Sequence, residues 1–156
     1  MITVWVDADN CVREAREFVE RAACRGRVRA VFVADRPIRT AESPHIERVV
    51  VASGDQESDT YIQERVEMGD IVVTRDIPLA AELVEQGVVV LNDRGTVWST
   101  ENVRERLSMR DFKEAMREQG LAPKRMQRYE KRDAAAFVAA LDREITRSTA
   151  KYGRPE

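Results

Sequence analysis

Short apolar runs rich in β-branched residues, alternating with helical patterns, constrain this chain more than any other feature. Residues 2–6, 28–34, 47–52, 71–74 and 88–91 read as strands. Between them, 14–23 places Ala15, Phe18, Val19, Ala22 and Ala23 on one helical face. Residues 59–68 and 78–86 read as further helices, closed by Gly69 and Gly87. Strands that are apolar almost throughout need cover on both faces, which a parallel sheet with crossover helices provides. The expectation is a three-layer α/β fold: a mostly parallel five-stranded sheet, helices on both faces and a C-terminal helical extension.

Beyond the fifth strand, Asp93-Arg94-Gly95 marks a turn and Val97-Trp98 a short extended piece. Ser99 or Thr100 can cap a helix running to Leu107, and Ser108 with Asp111 suggests a second helix ended by Gly120. A basic linker, 123–132, leads to a helix over 133–147 with Ala136, Phe137, Ala140, Leu141 and Ile145 at helical spacing. Residues 1–122 form the expected α/β domain, and 123–156 the linker and helix that pack back on it.

Composition narrows the chemistry. The two cysteines, Cys11 and Cys24, lack CxxC spacing, and His45 is the sole histidine. This argues against a Cys/His zinc site, so any metal would be held by oxygen, as Mg²⁺ or Mn²⁺ are. No apolar run approaches the roughly 20 residues of a membrane helix. The N-terminus lacks a basic leader, so a cytoplasmic chain with no membrane partner is expected. Charge is uneven. Residues 1–109 carry 14 Lys/Arg against 20 Asp/Glu, and residues 110–156 carry 12 against 8, for −2 overall. An acidic body with a basic tail suits a metal site with a polyanion-gripping arm, although a solvated charged helix has the same composition.

In an open parallel sheet, ligands bind beyond the carboxyl ends of the strands. Asp7, Asp9 and Asn10 follow the first strand. Ser53, Asp55, Glu57, Ser58 and Asp59 follow the third, Thr74, Arg75 and Asp76 the fourth, and Asn92, Asp93 and Arg94 the fifth. A lone aspartate there caps a helix. Several at one edge repel unless a cation or proton is shared. Asp70 precedes the fourth strand and reads as a turn residue at the opposite edge. Asp35 follows the second strand and is remote from the cluster if that strand is peripheral.

These residues resemble the YaiI/YqxD family of bacterial proteins. The likeness is carried by Val6-Asp7-Ala8-Asp9-Asn10-Cys11, Gly54-x-x-x-x-Asp59-x-x-Ile62, the run from Gly69 to Ala80 with Thr74-Arg75-Asp76, Leu91-Asn92-x-Arg94-Gly95, and Arg106 to Phe112. Val12 departs from the family pattern, which has proline there. The resemblance implies a PIN-like nuclease fold. It implies catalytic carboxylates Asp7, Asp59 and Asp76, with Asp9 joining them as metal ligands for Mg²⁺ or Mn²⁺. The glutamate many PIN nucleases add has no counterpart here beyond Glu57.

The corresponding activity is hydrolysis of nucleic acid, RNA in the first instance. Ser53, Thr74, Arg75, Asn92 and Arg94 would contact substrate or orient water, Lys124, Arg125, Arg128, Lys131 and Arg132 would grip the backbone, and Tyr129 among them would stack a base. Two other readings remain open. One is a metal- or RNA-binding module without turnover. The other is a haloacid-dehalogenase-type phosphatase with Asp7 as nucleophile, although no lysine precedes Lys113. Cys11 reads as a small packed residue.

Overall fold

The computed structural model describes residues 1–54, 56–118 and 128–153, with 110–118 as helix backbone. Asp55, Gly120, Lys124 and Arg125 lie outside the described residues. The elements are β1 (Thr3–Asp7), a single 3-10 turn (Ala8–Asn10), α1 (Arg13–Cys24), β2 (Arg29–Ala34), β3 (Ile46–Val50), α2 (Glu57–Arg65), β4 (Ile71–Val73), α3 (Ile77–Glu85), β5 (Val89–Leu91), α4 (Thr100–Glu118) and α5 (Lys131–Tyr152).

The five strands form one sheet in the order β3-β2-β1-β4-β5, every neighbouring pair parallel. The chain winds outward from β1 to β3, then returns to the other side of β1 for β4 and β5. Strand order therefore reverses between β1 and β4, where doubly wound sheets open a crevice for ligands.

Period-two alternation sorts the core into two layers. Val4, Val6, Ala30, Phe32, Ile71 and Val73 pack with Ala15 and Val19 of α1 and Phe137, Ala140, Leu141 and Ile145 of α5. Trp5, Val31, Val33 and Val72 pack on the other face with Ile62 of α2, Leu79 and Leu83 of α3, and Trp98 and Val103. The architecture is thus three-layered, helix–sheet–helix, in agreement with the PIN-like arrangement. Asp7 shares the alternation of Trp5, so its side chain lies on the α2/α3 side. No described helix is long and apolar enough to cross a membrane.

Three expectations need correction. The two helices expected over 100–107 and 108–120 are one helix, α4. No glycine or proline interrupts 100–118, and an internal serine costs a helix only a few tenths of a kcal/mol. Lys131 and Arg132, expected in a linker, open α5 instead. Its start is a capping box in which Glu130 N–H donates to Asp133 Oδ2 at 2.8 Å.

Asp70 is more than a turn residue. It is buried, and its carboxylate accepts from Thr3 N–H (3.1 Å), Trp5 Nε1 (3.0 Å) and Glu67 N–H (3.0 Å). This ties the start of β1 to the start of β4 at the edge opposite the cluster. Gly69 beside it needs its positive φ of 94°, and a Cβ there would stand 2.6 Å from Tyr152 of α5. Removing the Asp70 carboxylate leaves buried donors unpaired, including the Trp5 indole. Asp70→Ala should therefore lose about 2–3 kcal/mol of stability, measured by urea unfolding with an unchanged m-value.

Candidate metal centre

The site begins with Asp7, the last residue of β1, fully buried at the point where strand order reverses. Thr74 Oγ1, just beyond β4, donates to Asp7 Oδ2 at 2.7 Å, and Asn10 Nδ2 donates to the same oxygen at 3.0 Å. The Thr74 hydroxyl also accepts from Asp76 N–H at 3.0 Å. Asp76 in turn caps α3, accepting from Leu79 N–H at 3.1 Å, with Pro78 in the first turn. A chain of short polar contacts thus locks Asp7 and Asp76 to one another through Thr74. The other oxygen, Asp7 Oδ1, is buried with no hydrogen-bond partner.

A cleft of about 400 Å³ opens here, lined by Asp7, Asp9, Asn10, Asp35, Gly54, Ser58, Asp59 and Asp76. Asp9 arrives on the 3-10 turn, and its Oδ2 accepts from Asp35 N–H at 2.9 Å. Asp59 and buried Ser58 arrive on the first turn of α2. All four predicted metal ligands therefore share one cleft.

The electrostatics follow from this crowding. Burial pushes the Asp7 carboxyl above its ordinary range. Hydrogen bonds from Thr74 and Asn10 oppose that rise, and the charges of Asp76 and Asp9 add to it. Asp59 is pushed up to about 7, first by burial and then by the charges of Asp76 and Asp7, and it meets Asp76 closely enough to share a proton.

Among the described residues no group of three or more Asp, Glu, His or Cys side chains is arranged to hold a metal ion directly. A hydrated divalent ion is a different case. Mg²⁺ keeps several waters and needs one or two carboxylates. The cleft has volume for roughly a dozen waters at ~30 Å³ each. The orphaned Asp7 Oδ1 and the mutual repulsion of the acids both fit such an ion.

The other predicted residues fall differently. Thr74 is fully buried and orients Asp7 rather than facing the cleft. Ser53 is exposed and does not line the cleft, while Gly54 does. Arg75 turns to Asp93, pairing at 3.3 Å. Arg94 Nη1 donates to Asp133 at 2.8 Å. Asn92 Oδ1 accepts from Arg94 N–H and Thr96 N–H and shapes the turn after β5. Tyr129 donates its hydroxyl to the Asp93 carbonyl at 2.7 Å, with Arg94 above its ring. Cys11 is buried and its thiol is pushed up, chiefly by burial, so it is an inert packed residue.

Asn10, Asp35, Gly54 and Ser58 line the cleft but lie outside the site predicted from sequence. Asp35 was expected to be remote if β2 lay at the periphery. In fact β3 holds the edge and β2 adjoins β1, which brings Asp35 to the cleft. Ser58 adjoins Asp59 in α2, and that adjacency was the available signal.

The folded state binds the Asp59 proton more tightly than the unfolded chain does. The metal-free protein should therefore lose stability as pH rises from about 4 to about 7. Thermal unfolding of Asp59→Asn should show the variant more stable than the parent above pH 7, with the difference gone near pH 4. A pH-independent difference would contradict this origin.

The family model described as "Uncharacterized BCR, YaiI/YqxD family" matches residues 5–147. A UPF0178 protein of Treponema pallidum (strain Nichols) is 47% identical over 94% of this chain and 82% of its own length. UPF0178 proteins of Saccharophagus degradans and Myxococcus xanthus are 44% and 43% identical, each over 92% of this chain and 95% and 94% of their own lengths. No solved structure gives a significant match. Matched along nearly all of its sequence, with the aspartate-bearing segments inside the matched region, the chain belongs to the YaiI/YqxD family.

Proposed function

We propose that this protein is a divalent-metal-dependent nuclease that hydrolyses phosphodiester bonds, RNA being the first substrate class to test. The observation that carries the proposal is Asp7 Oδ1. This buried carboxylate oxygen has no hydrogen-bond partner and belongs to a residue lining an acidic cleft at the sheet's switch point. An unpaired buried carboxylate oxygen is costly, and a cation on the cleft side relieves that cost. Asp7, Asp9, Asp59 and Asp76 would hold Mg²⁺ or Mn²⁺. Such an ion, when bound, polarises a phosphoryl group and makes water more acidic.

The chain's own part is positioning and proton handling. Thr74 and Asn10 fix the Asp7 carboxylate, and the α3 cap fixes Asp76. Asp59, carried into the cleft on the first turn of α2 beside Asp76, is placed to take the proton that the attacking water gives up as the new P–O bond forms. The ester P–O bond then breaks and the departing oxygen takes a proton from solvent water, leaving a phosphate monoester and a hydroxyl.

One observation favours binding without turnover. Among the described residues, the cleft lining contains no lysine or histidine to protonate the departing oxygen and no arginine to neutralise its charge, and exposed Glu57 lies outside the lining. The same lack of a lysine counts against the phosphatase reading.

Mn²⁺ at a hundredfold excess over its dissociation constant should add about 2.7 kcal/mol. That raises the unfolding midpoint by about 5–10 °C. Asp7→Asn and Asp76→Asn should fold, because asparagine can keep the Thr74 contact and the α3 cap, but should lose most of this response. Cleavage of single-stranded RNA in Mn²⁺ should fall at least about a hundredfold in both. Mn²⁺ stabilisation with no cleavage of RNA or DNA by the wild type would select the binding module. No Mn²⁺ response at all would refute the metal centre.

A further inference from the structure

Beside the acidic cleft lies a pocket of opposite character, about 170 Å³, lined by Arg13, Arg16, Glu17, Glu20, Phe32, Ile38, Arg39 and Thr40. Two arginines stand in the first turn of α1, where the helix dipole also favours an anion. The third follows the end of β2. Both segments begin at the carboxyl edge of the sheet, the same edge as the carboxylates.

The two acids in the pocket are already engaged. Glu17 pairs with Arg13 at 3.5 Å, and Glu20 accepts from Ala41 N–H at 2.5 Å. Among the described residues, neither Arg16 nor Arg39 makes an ion pair. Arg16 is half-buried, and its Nε is fully buried with no hydrogen-bond partner. A buried donor of a cationic group without a partner is unfavourable, and an anion bound at the guanidinium compensates its charge.

The two pockets adjoin along the chain. Asn10 lines the cleft and Arg13 the basic pocket, three residues on, so their Cα atoms are at most ~11 Å apart. That is about three nucleotides at the ~3.4 Å rise of a stacked strand. Asp35 and Arg39 are related in the same way, four residues apart across the loop after β2.

Resting on the nuclease reading, we propose that Arg13, Arg16 and Arg39 hold a backbone phosphate of the polynucleotide, within a few nucleotides of the bond presented to the carboxylates. The protein then grips its substrate with a pocket on the α1 side of the sheet edge and cuts it on the α2/α3 side. A polymer rather than a mononucleotide is its substrate, because only a chain of phosphates spans both.

The test compares the full-length wild type with Arg16→Met/Arg39→Ala, since methionine keeps the packed stem of Arg16. Arg39→Ala alone, at a loop position, serves if the double variant does not fold. The probes are inorganic phosphate, a single-stranded oligoribonucleotide of about twelve residues bound in Ca²⁺, and Mn²⁺ alone.

Phosphate should stabilise only the wild type. The oligonucleotide should bind about tenfold or more weakly to the double variant, with the salt slope reduced by about 0.7, as loss of one neutralised phosphate requires. The Mn²⁺ response should be the same in both proteins. Equal phosphate response and equal RNA affinity in the two proteins would overturn the proposal. A phosphate response confined to wild type, with neither the oligoribonucleotide nor its single-stranded DNA counterpart bound by either protein, would overturn the polynucleotide assignment and the nuclease reading with it. RNA affinity lost in the variant, while wild type shows no Mn²⁺ response, would support the pocket and refute the metal centre alone.

Discussion

The buried carboxylate of Asp7 and its bond to the Thr74 hydroxyl are the contact on which the site's geometry depends. Asp7 ends the central strand, and Thr74 follows its parallel neighbour β4. The bond therefore crosses the line where the chain's winding reverses. The same hydroxyl accepts the Asp76 backbone N–H, and Asp76 caps α3. Strand pairing, the start of a helix and the spacing of two acidic groups are set together. A charged group placed this deep is unfavourable unless it is compensated. Asp7 has donors on one oxygen and none on the other, so its compensation is incomplete within the protein itself.

Two buried acids near the sheet edges show how much context decides. Asp70 satisfies its carboxylate with three donors and holds β1 against β4. Asp93 accepts from Val12 N–H at the start of α1 and pairs with Arg75. Val12 offers no side-chain oxygen for a helix cap, and the acceptor comes from 81 residues away. Both acids fasten elements together, Asp70 with both oxygens bonded and Asp93 with Oδ2 bonded and Oδ1 unpartnered. The cleft acids differ from them in facing one another, which raises the Asp59 carboxyl and leaves room for a shared cation.

The arginines divide along the same line. Arg75 and Arg94 lie next to the acidic strand ends in sequence, yet each is paired with an aspartate, Asp93 and Asp133 respectively. Arg16 and Arg39 are far apart in sequence and meet across the α1 side of the sheet. Closeness in sequence to an acidic motif proved a poor guide to which guanidinium groups could meet a ligand. Arg75 is drawn to buried Asp93, because leaving that buried charge unpaired costs more than forming the ion pair does.

What the sequence by itself determined is the alternation of apolar strands and amphipathic helices, and the set of acids that follow strand ends. Those are local properties: β-branched runs, period-3.6 faces, and Asp or Gly at the ends of elements. Residues 2–6 and 71–74 were legible as strands, and with them the placing of Asp7 and Asp76 at one edge and Asp70 at the other.

Only the tertiary structure decided strand order, and with it that β2 is interior and Asp35 lines the cleft. It also decided that α4 runs unbroken through Ser108, because nothing in the chain stops it. The direction in which each polar side chain turns was likewise decided by its neighbours: Thr74 toward Asp7, Arg75 toward Asp93, Arg94 toward Asp133. Partners 18 to 67 residues apart carry no local signal of one another, and they meet only because the sheet and its helices bring their segments together.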